Sequence, residues 1–151
     1  MSKNILHLED AISIDASIES VWAYLTDFRN VPKWHKNMIK ATWKGNPPYG
    51  VGSEYDWIEK AAGKTLDIGG AITTWNLPYC FEWRPHINPY NMSGGWKLES
   101  HGNATHVIRY SDSRLFGFFK WFSFLIVPMI KKQVHAEMQQ LKRLIEIELQ
   151  T

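Results

Sequence analysis

The chain has 151 residues, 44% of them hydrophobic and 21% charged, and its 17 Lys and Arg against 15 Asp and Glu leave a net charge of +2. That length suits one domain, residues 1–151, with a core large enough to need no staples. The balanced charge, with no long basic run, argues against a nucleic-acid partner, and Cys80 as the only cysteine rules out an intrachain disulfide and suits the reducing cytoplasm.

Met1 to Asn4 lead into a strand pattern without the apolar core of a secretion signal, so a cytoplasmic location is expected. The sequon Asn91-Met92-Ser93 then reads as coincidence. Residues 5–14 end in alternation, with Leu8, Asp10, Ile12 and Ile14 on one side, as in a strand with one buried face. Ser17 is placed to cap a helix whose apolar stripe is Ile18, Val21, Trp22 and Leu25. After a break at residues 27–30, residues 31–35 predict a second short helical turn with Pro32 near its start.

Six strands are expected next, at 38–45, 51–60, 64–75, 79–87, 92–101 and 104–111. Ala62-Gly63 and Gly102-Asn103 are tight hairpin signals, and short connections imply antiparallel neighbours. Gly69-Gly70 and Gly94-Gly95 interrupt strand patterns, which suggests bulges and a sheet that curls. Residues 115–149 predict one long helix, ~50 Å at 1.5 Å per residue, kinked or split at Pro128. Beyond the proline, Ile130, Val134, Met138, Leu141, Ile145 and Leu149 make one stripe. Before it the helix is apolar on nearly all sides, but Lys120 and a length short of ~20 residues argue for burial rather than a membrane span.

The run from Ile12-Ser13-Ile14-Asp15-Ala16-Ser17 through Val21-Trp22, Asp27 and Trp34 resembles the opening of the polyketide cyclase/dehydrase and lipid-transport family. That family belongs to the superfamily of START-related lipid-transfer domains and the birch pollen allergen. Val51-Gly52, Gly102-Asn103-Ala104-Thr105 and the closing segment 141–146 agree with it, while Ser17 stands where the family often has proline. The resemblance spans the chain and implies an α+β helix-grip fold. A curved seven-stranded antiparallel sheet would wrap a long C-terminal helix in the order β-α-α-β-β-β-β-β-β-α, with a cavity between sheet and helix. Its motifs are anchors and turns, so they specify fold more than chemistry.

Eight Trp, six Tyr and seven Phe make 14% aromatic content, consistent either with a bulky core or with an aromatic-walled cavity. The expected ligand-binding wall is Trp34, Tyr55, Trp57, Trp83 and Trp96, with Phe119, Phe122, Ile126, Met129 and Ile130 from the helix. His35 and Tyr55 are the weak catalytic candidates. The favoured assignment leaves His35 exposed beside a packed Trp34. Glu54, Asp56, Glu82, Arg84, His86 and Asp67 are assigned to solvent. Val107 and Arg109 share one face of the last strand and His106, Ile108 and Tyr110 the other; which face is inside stays open, with a surface pair between Arg109 and Glu99 favoured. None of the six histidines has a metal-site spacing, and no cofactor or phosphate-loop motif occurs.

Three functions follow as expectations: binding of an apolar or aromatic, lipid- or polyketide-like small molecule; polyketide cyclase, aromatase or dehydratase chemistry in the same cavity; or an interaction module. The last rests on residues 115–127, where one helix side is expected to be covered by a second copy, by the loop at 29–36, or by a membrane surface. A homodimer is the simplest of these.

Overall fold

The computed structural model describes residues 4–61, 63–89, 91–115 and 117–150. Ala62 of the expected hairpin and Phe116 lie outside these residues, as do the side chains of Phe118 and Phe119.

Strand β1 (Ile5–Ile14) is followed by α1 (Ile18–Thr26), a single 3₁₀ turn at Phe28–Asn30 and the short α2 (Val31–Trp34). The Ser17 hydroxyl accepts from Ser20 N–H at 3.2 Å and caps α1, whose Ile18, Val21, Trp22 and Leu25 are buried as the stripe requires. Then come β2 (Met38–Trp43), β3 (Glu54–Ala61), β4 (Lys64–Asp67), β5 (Gly70–Asn76), β6 (Cys80–Pro85), β7 (Ser93–His101) and β8 (Ala104–Arg114). The chain closes with α3 (Gly117–Trp121) and α4 (Ser123–Gln150).

All described strand pairs are antiparallel, in the order β1-β8-β7-β6-β5-β3-β2. The expected strand at 64–75 is divided. Its first part, β4, pairs with Ile58–Ala61, and β5 rejoins β3 only at Glu54 and Tyr55. Gly69 makes the bend, since a Cβ there would lie 2.9 Å from the Tyr55 carbonyl. Counting β4 and β5 as one arm leaves the seven strands of a curved half-barrel.

Aromatic side chains close one end of this half-barrel. Trp22 of α1 sets its edge against Trp75 and Phe81, at 5.0 and 5.4 Å between ring centroids. Phe28 stacks on Trp43, and Trp43 on Tyr49. The indole of Trp43 donates to the Thr26 carbonyl at 2.8 Å, tying the end of α1 to β2.

The far half of α4 fills the concave face. Met138, Leu141 and Ile145 are buried with Ile14, Leu98 and Val107. Lys142 donates to the Ser13 carbonyl at 2.8 Å, and Glu146 accepts from the Asp15 N–H at 2.9 Å, which fixes the helix along β1. The helix break does not fall at Pro128. It falls at Phe122, between α3 and α4, and α4 runs through the proline. Proline removes one helical N–H, but here it stands near the helix start and on an exposed face with Phe124, where water can serve the freed carbonyl.

Candidate functional site

Between α2, the concave sheet face and the middle of α4 lies a cavity of about 230 Å³. Strand alternation builds its wall. On β3, Tyr55, Trp57 and Glu59 share a face; on β6, Phe81 and Trp83; on β8, Val107, Arg109 and Ser111. Trp83 is able to lie inward because Gly94 stands opposite it. A Cβ on Gly94 would come within 2.4 Å of the Trp83 ring. Tyr110 takes the outer face, its hydroxyl 3.8 Å from the Cys80 thiol and its ring under the Lys97 ammonium. The side chain of His106 likewise turns outward and stacks on His101.

Four of the eight tryptophans, Trp34, Trp57, Trp83 and Trp96, line the cavity. Trp22, Trp43 and Trp75 belong to the aromatic end cap, and Trp121 is exposed. Trp57 meets Trp83 edge-on at 5.0 Å, and Trp34 meets Trp96 edge-on at 5.6 Å. From α4 come Ile130, Gln133, Val134 and Glu137.

One end of the cavity is polar. Arg109, against the favoured surface assignment, points inside. Its guanidinium lies over the rings of Trp34 and Trp96, at 5.3 and 5.7 Å, and reaches Glu137 Oε1 at 3.3 Å. Glu99 pairs instead with His101. Glu137, only 4% exposed, also accepts the Lys36 N–H through Oε2 at 3.0 Å. His35 likewise turns inward rather than to solvent, its side chain 12% exposed, with Nδ1 3.5 Å from Glu137 Oε2. That distance is too long for a hydrogen bond, and among the described residues Nδ1 has no partner. Burial pushes the imidazole down to about 4; the Glu137 carboxylate opposes this and Arg109 adds to it. His35 is therefore neutral at pH 7, and its contact with Glu137 is not an ion pair. Burial also raises the Glu59 carboxyl, with Glu137 adding to the rise. The indole N–H groups of Trp34 and Trp57 are buried without an acceptor among the described residues.

The remaining expected wall residues are placed differently. Tyr55 is fully buried and does not line the cavity, its hydroxyl without a partner among the described residues and its acidity suppressed by burial. Phe122 and Met129 are exposed, at 40% and 72%, Phe122 at the break between α3 and α4 and Met129 on the outward side of α4. Ile126 is half-buried one turn short of the cavity, and Ile130 is the first helix residue to reach it.

Glu59 and Glu137 were not among the expected residues, although the pattern contains both. Glu59 continues the alternation of Tyr55 and Trp57, and Glu137 stands two turns beyond Ile130 on the same helix face. A carboxylate in an apolar stripe is the signal that would have found them.

A half-barrel gripping a C-terminal helix over an aromatic cavity defines the helix-grip class. The model of the family described as polyketide cyclase / dehydrase and lipid transport matches residues 6–146, and the chain belongs to that family. Among solved structures, TTHA0849 from Thermus thermophilus is 15% identical with a TM-score of 0.76, covering 93% of this chain and 97% of that one. The Zhui aromatase/cyclase from Streptomyces sp. R1128 is 14% identical, also with a TM-score of 0.76, covering 96% of each chain. Ara h 8.0201 is 10% identical with a TM-score of 0.67, covering 93% of this chain and 97% of that one. At these identities the likeness is one of fold. No curated protein matches the sequence.

Proposed function

We propose that the cavity binds a small apolar or aromatic molecule of lipid- or polyketide-like character, with an oxygen-bearing polar end directed at His35, Arg109 and Glu137. The observation that carries this reading is the pairing of four tryptophan faces with buried donors that lack acceptors, the Trp34 and Trp57 indoles. Buried polar groups are ordinarily satisfied, so a ligand carbonyl or hydroxyl, or water in its place, answers them. At about 230 Å³ the space is smaller than the ~300–1,000 Å³ of drug-sized sites. A compact ring system or a short acyl chain fits it better than a bulky polycycle. The lone thiol of Cys80 suits a reducing compartment, and we place the activity in the cytoplasm.

Native mass spectrometry of the purified protein tests this directly, by searching for a co-purified ligand. An environment-sensitive apolar dye should bind in the micromolar range and quench tryptophan fluorescence. Trp57→Ala and Trp83→Ala should each change its affinity severalfold. Folded variants that bind the dye like the parent would remove those two rings from the site.

A second reading, cyclase or dehydratase chemistry, draws on one observation. A neutral, unpartnered imidazole faces a cavity beside a buried carboxylate. Dehydration needs a base for the proton α to a carbonyl and an acid for the departing hydroxyl, and His35 has the protonation state of the base. A β-hydroxyketone incubated with the parent and with His35→Gln distinguishes the readings. Loss of water catalysed by the parent alone supports an enzyme, and binding without turnover supports a carrier.

A further inference from the structure

The start of the C-terminal helix region has a face that the cavity does not use. Trp121, Phe124, Leu125 and Met129 are exposed at 79%, 71%, 56% and 72%. Phe124, Leu125, Pro128 and Met129 share the outward side of α4 with Lys131 and Lys132, while Ile130, Gln133, Val134 and Glu137 turn the opposite side to the cavity. The segment at 29–36 does not cover this face. It packs further along α4, where Lys33 approaches Glu148 and His35 approaches Glu137.

Charge decides between the two remaining occupants. Between Asp112 and Glu137 the sequence has Arg114, Lys120, Lys131 and Lys132 and no carboxylate. Lys120, Lys131 and Lys132 are exposed beside the aromatic residues. A second copy meeting this face about a two-fold axis would bring two lysine-bearing patches of the same sign together, a like-charge juxtaposition that disfavours association. A surface of anionic lipid headgroups supplies the missing negative charge. The order of residues also fits such a surface. Large apolar side chains come first, and the lysine pair follows about one turn beyond, where flexible stems keep the ammonium groups at headgroup level.

We propose that the outward face of residues 117–132 docks on a membrane surface carrying anionic lipids, which lays the cavity-lining helix along the bilayer. No helix among the described residues is long and apolar enough to cross a membrane, so the contact is interfacial. It requires no particular ligand in the cavity.

Vesicle flotation of the full chain tests it, using phosphatidylcholine alone and phosphatidylcholine with phosphatidylglycerol at about three parts to one. The parent should float with the mixed vesicles, at least tenfold more tightly than with neutral ones, and should release in about 0.5 M salt. Lys131→Gln/Lys132→Gln should cost about tenfold on mixed vesicles. Trp121→Glu/Phe124→Glu should abolish flotation. Both variants change exposed positions, and a parental thermal melt and dye affinity verify that each is folded. Equal binding to both vesicle types, no binding to either, or a parent that sediments as a dimer and becomes monomeric in Trp121→Glu would each overturn the proposal.

Discussion

The two ends of α4 differ sharply in burial. Met138, Leu141 and Ile145 have at most 1% of their surface exposed, while Phe124 and Met129 are more than two-thirds exposed. Both stretches are rich in large apolar side chains, and only one is core. The far half is pinned to β1 through Lys142 and Glu146 and sealed by the sheet. The near half meets the sheet with one side only, and the cavity lies where the sealing stops, at Ile130, Val134 and Glu137. Apolar composition thus marks core in one half and exposed surface in the other. What distinguishes them is whether the apolar residues form a stripe or surround the helix.

The sharpest way to break this contrast is a matched pair of truncations. Leu141→Ala should cost about 2–5 kcal/mol of stability, because it leaves a hole in a packed region. Met129→Ala should stay within about 0.5 kcal/mol, since its side chain is already in water. Urea unfolding of both variants checks this, and equal losses would mean that the near half is packed after all.

His35 sits at the junction and makes it sensitive to acid. Its folded value near 4 lies below the unfolded 6.5, so the unfolded chain binds the proton more readily. The stability this neutral imidazole preserves is complete above about pH 6.5 and is lost as pH falls toward 4, by about 3 kcal/mol in all. Glu59 acts with the opposite sign. Its folded carboxyl is raised, so its contribution is full below the unfolded value of 4.5 and declines as pH rises through the folded value. His35→Gln isolates the first effect. Between pH 7 and 4.5 the parent should lose about 2–3 kcal/mol more than the variant, and parallel losses would place His35 outside the buried cluster.

A smaller effect is expected at the cavity wall. Gly94→Ala drives a methyl into the Trp83 ring, and the overpacking should cost about 1–3 kcal/mol. Because Trp83 yields toward the cavity, apolar dye affinity should fall severalfold in the same variant. A loss of stability with unchanged affinity would show that the ring yields in another direction.

These sites differ in how legible they were. The antiparallel order, the cap at Ser17, the turns at Gly63 and Gly102 and the buried stripe of α4 follow from local chemistry that a sequence carries in full. Trp57 and Trp83 reach the cavity wall because period-2 alternation holds on β3 and β6. Arg109 is different. Alternation pairs it with Val107 but does not say which face is concave, and only the register with Trp96 settles that. The polar cluster is illegible for a related reason. His35, Glu59, Arg109 and Glu137 come from four elements, and a sequence read residue by residue assigns each charge to solvent. Arg109 and Glu137 compensate one another's charge, and Arg109 lies over the Trp34 and Trp96 rings, a tertiary compensation with no local signature. Phe122 stands at the break between α3 and α4 and Met129 on the outward side of α4, and neither placement has a local signal before the sheet is in place.

Pro128 supplies the finest test of the contrast, with the smallest global effect. Replacing it by alanine restores an N–H for the Phe124 carbonyl and removes a residue that costs about 3 kcal/mol in a helix interior. If the near half of α4 unfolded together with the core, much of that gain would appear as global stability. A segment held to the sheet by one side opens on its own, so the gain should instead remain local. Pro128→Ala is expected to shift global stability by less than about 0.5 kcal/mol while slowing amide exchange severalfold across residues 124–132. Amides around Met138 and Leu141, which open only with the whole fold, should exchange at the parental rate. A global gain above about 1 kcal/mol would merge the two halves of the helix into one cooperative unit.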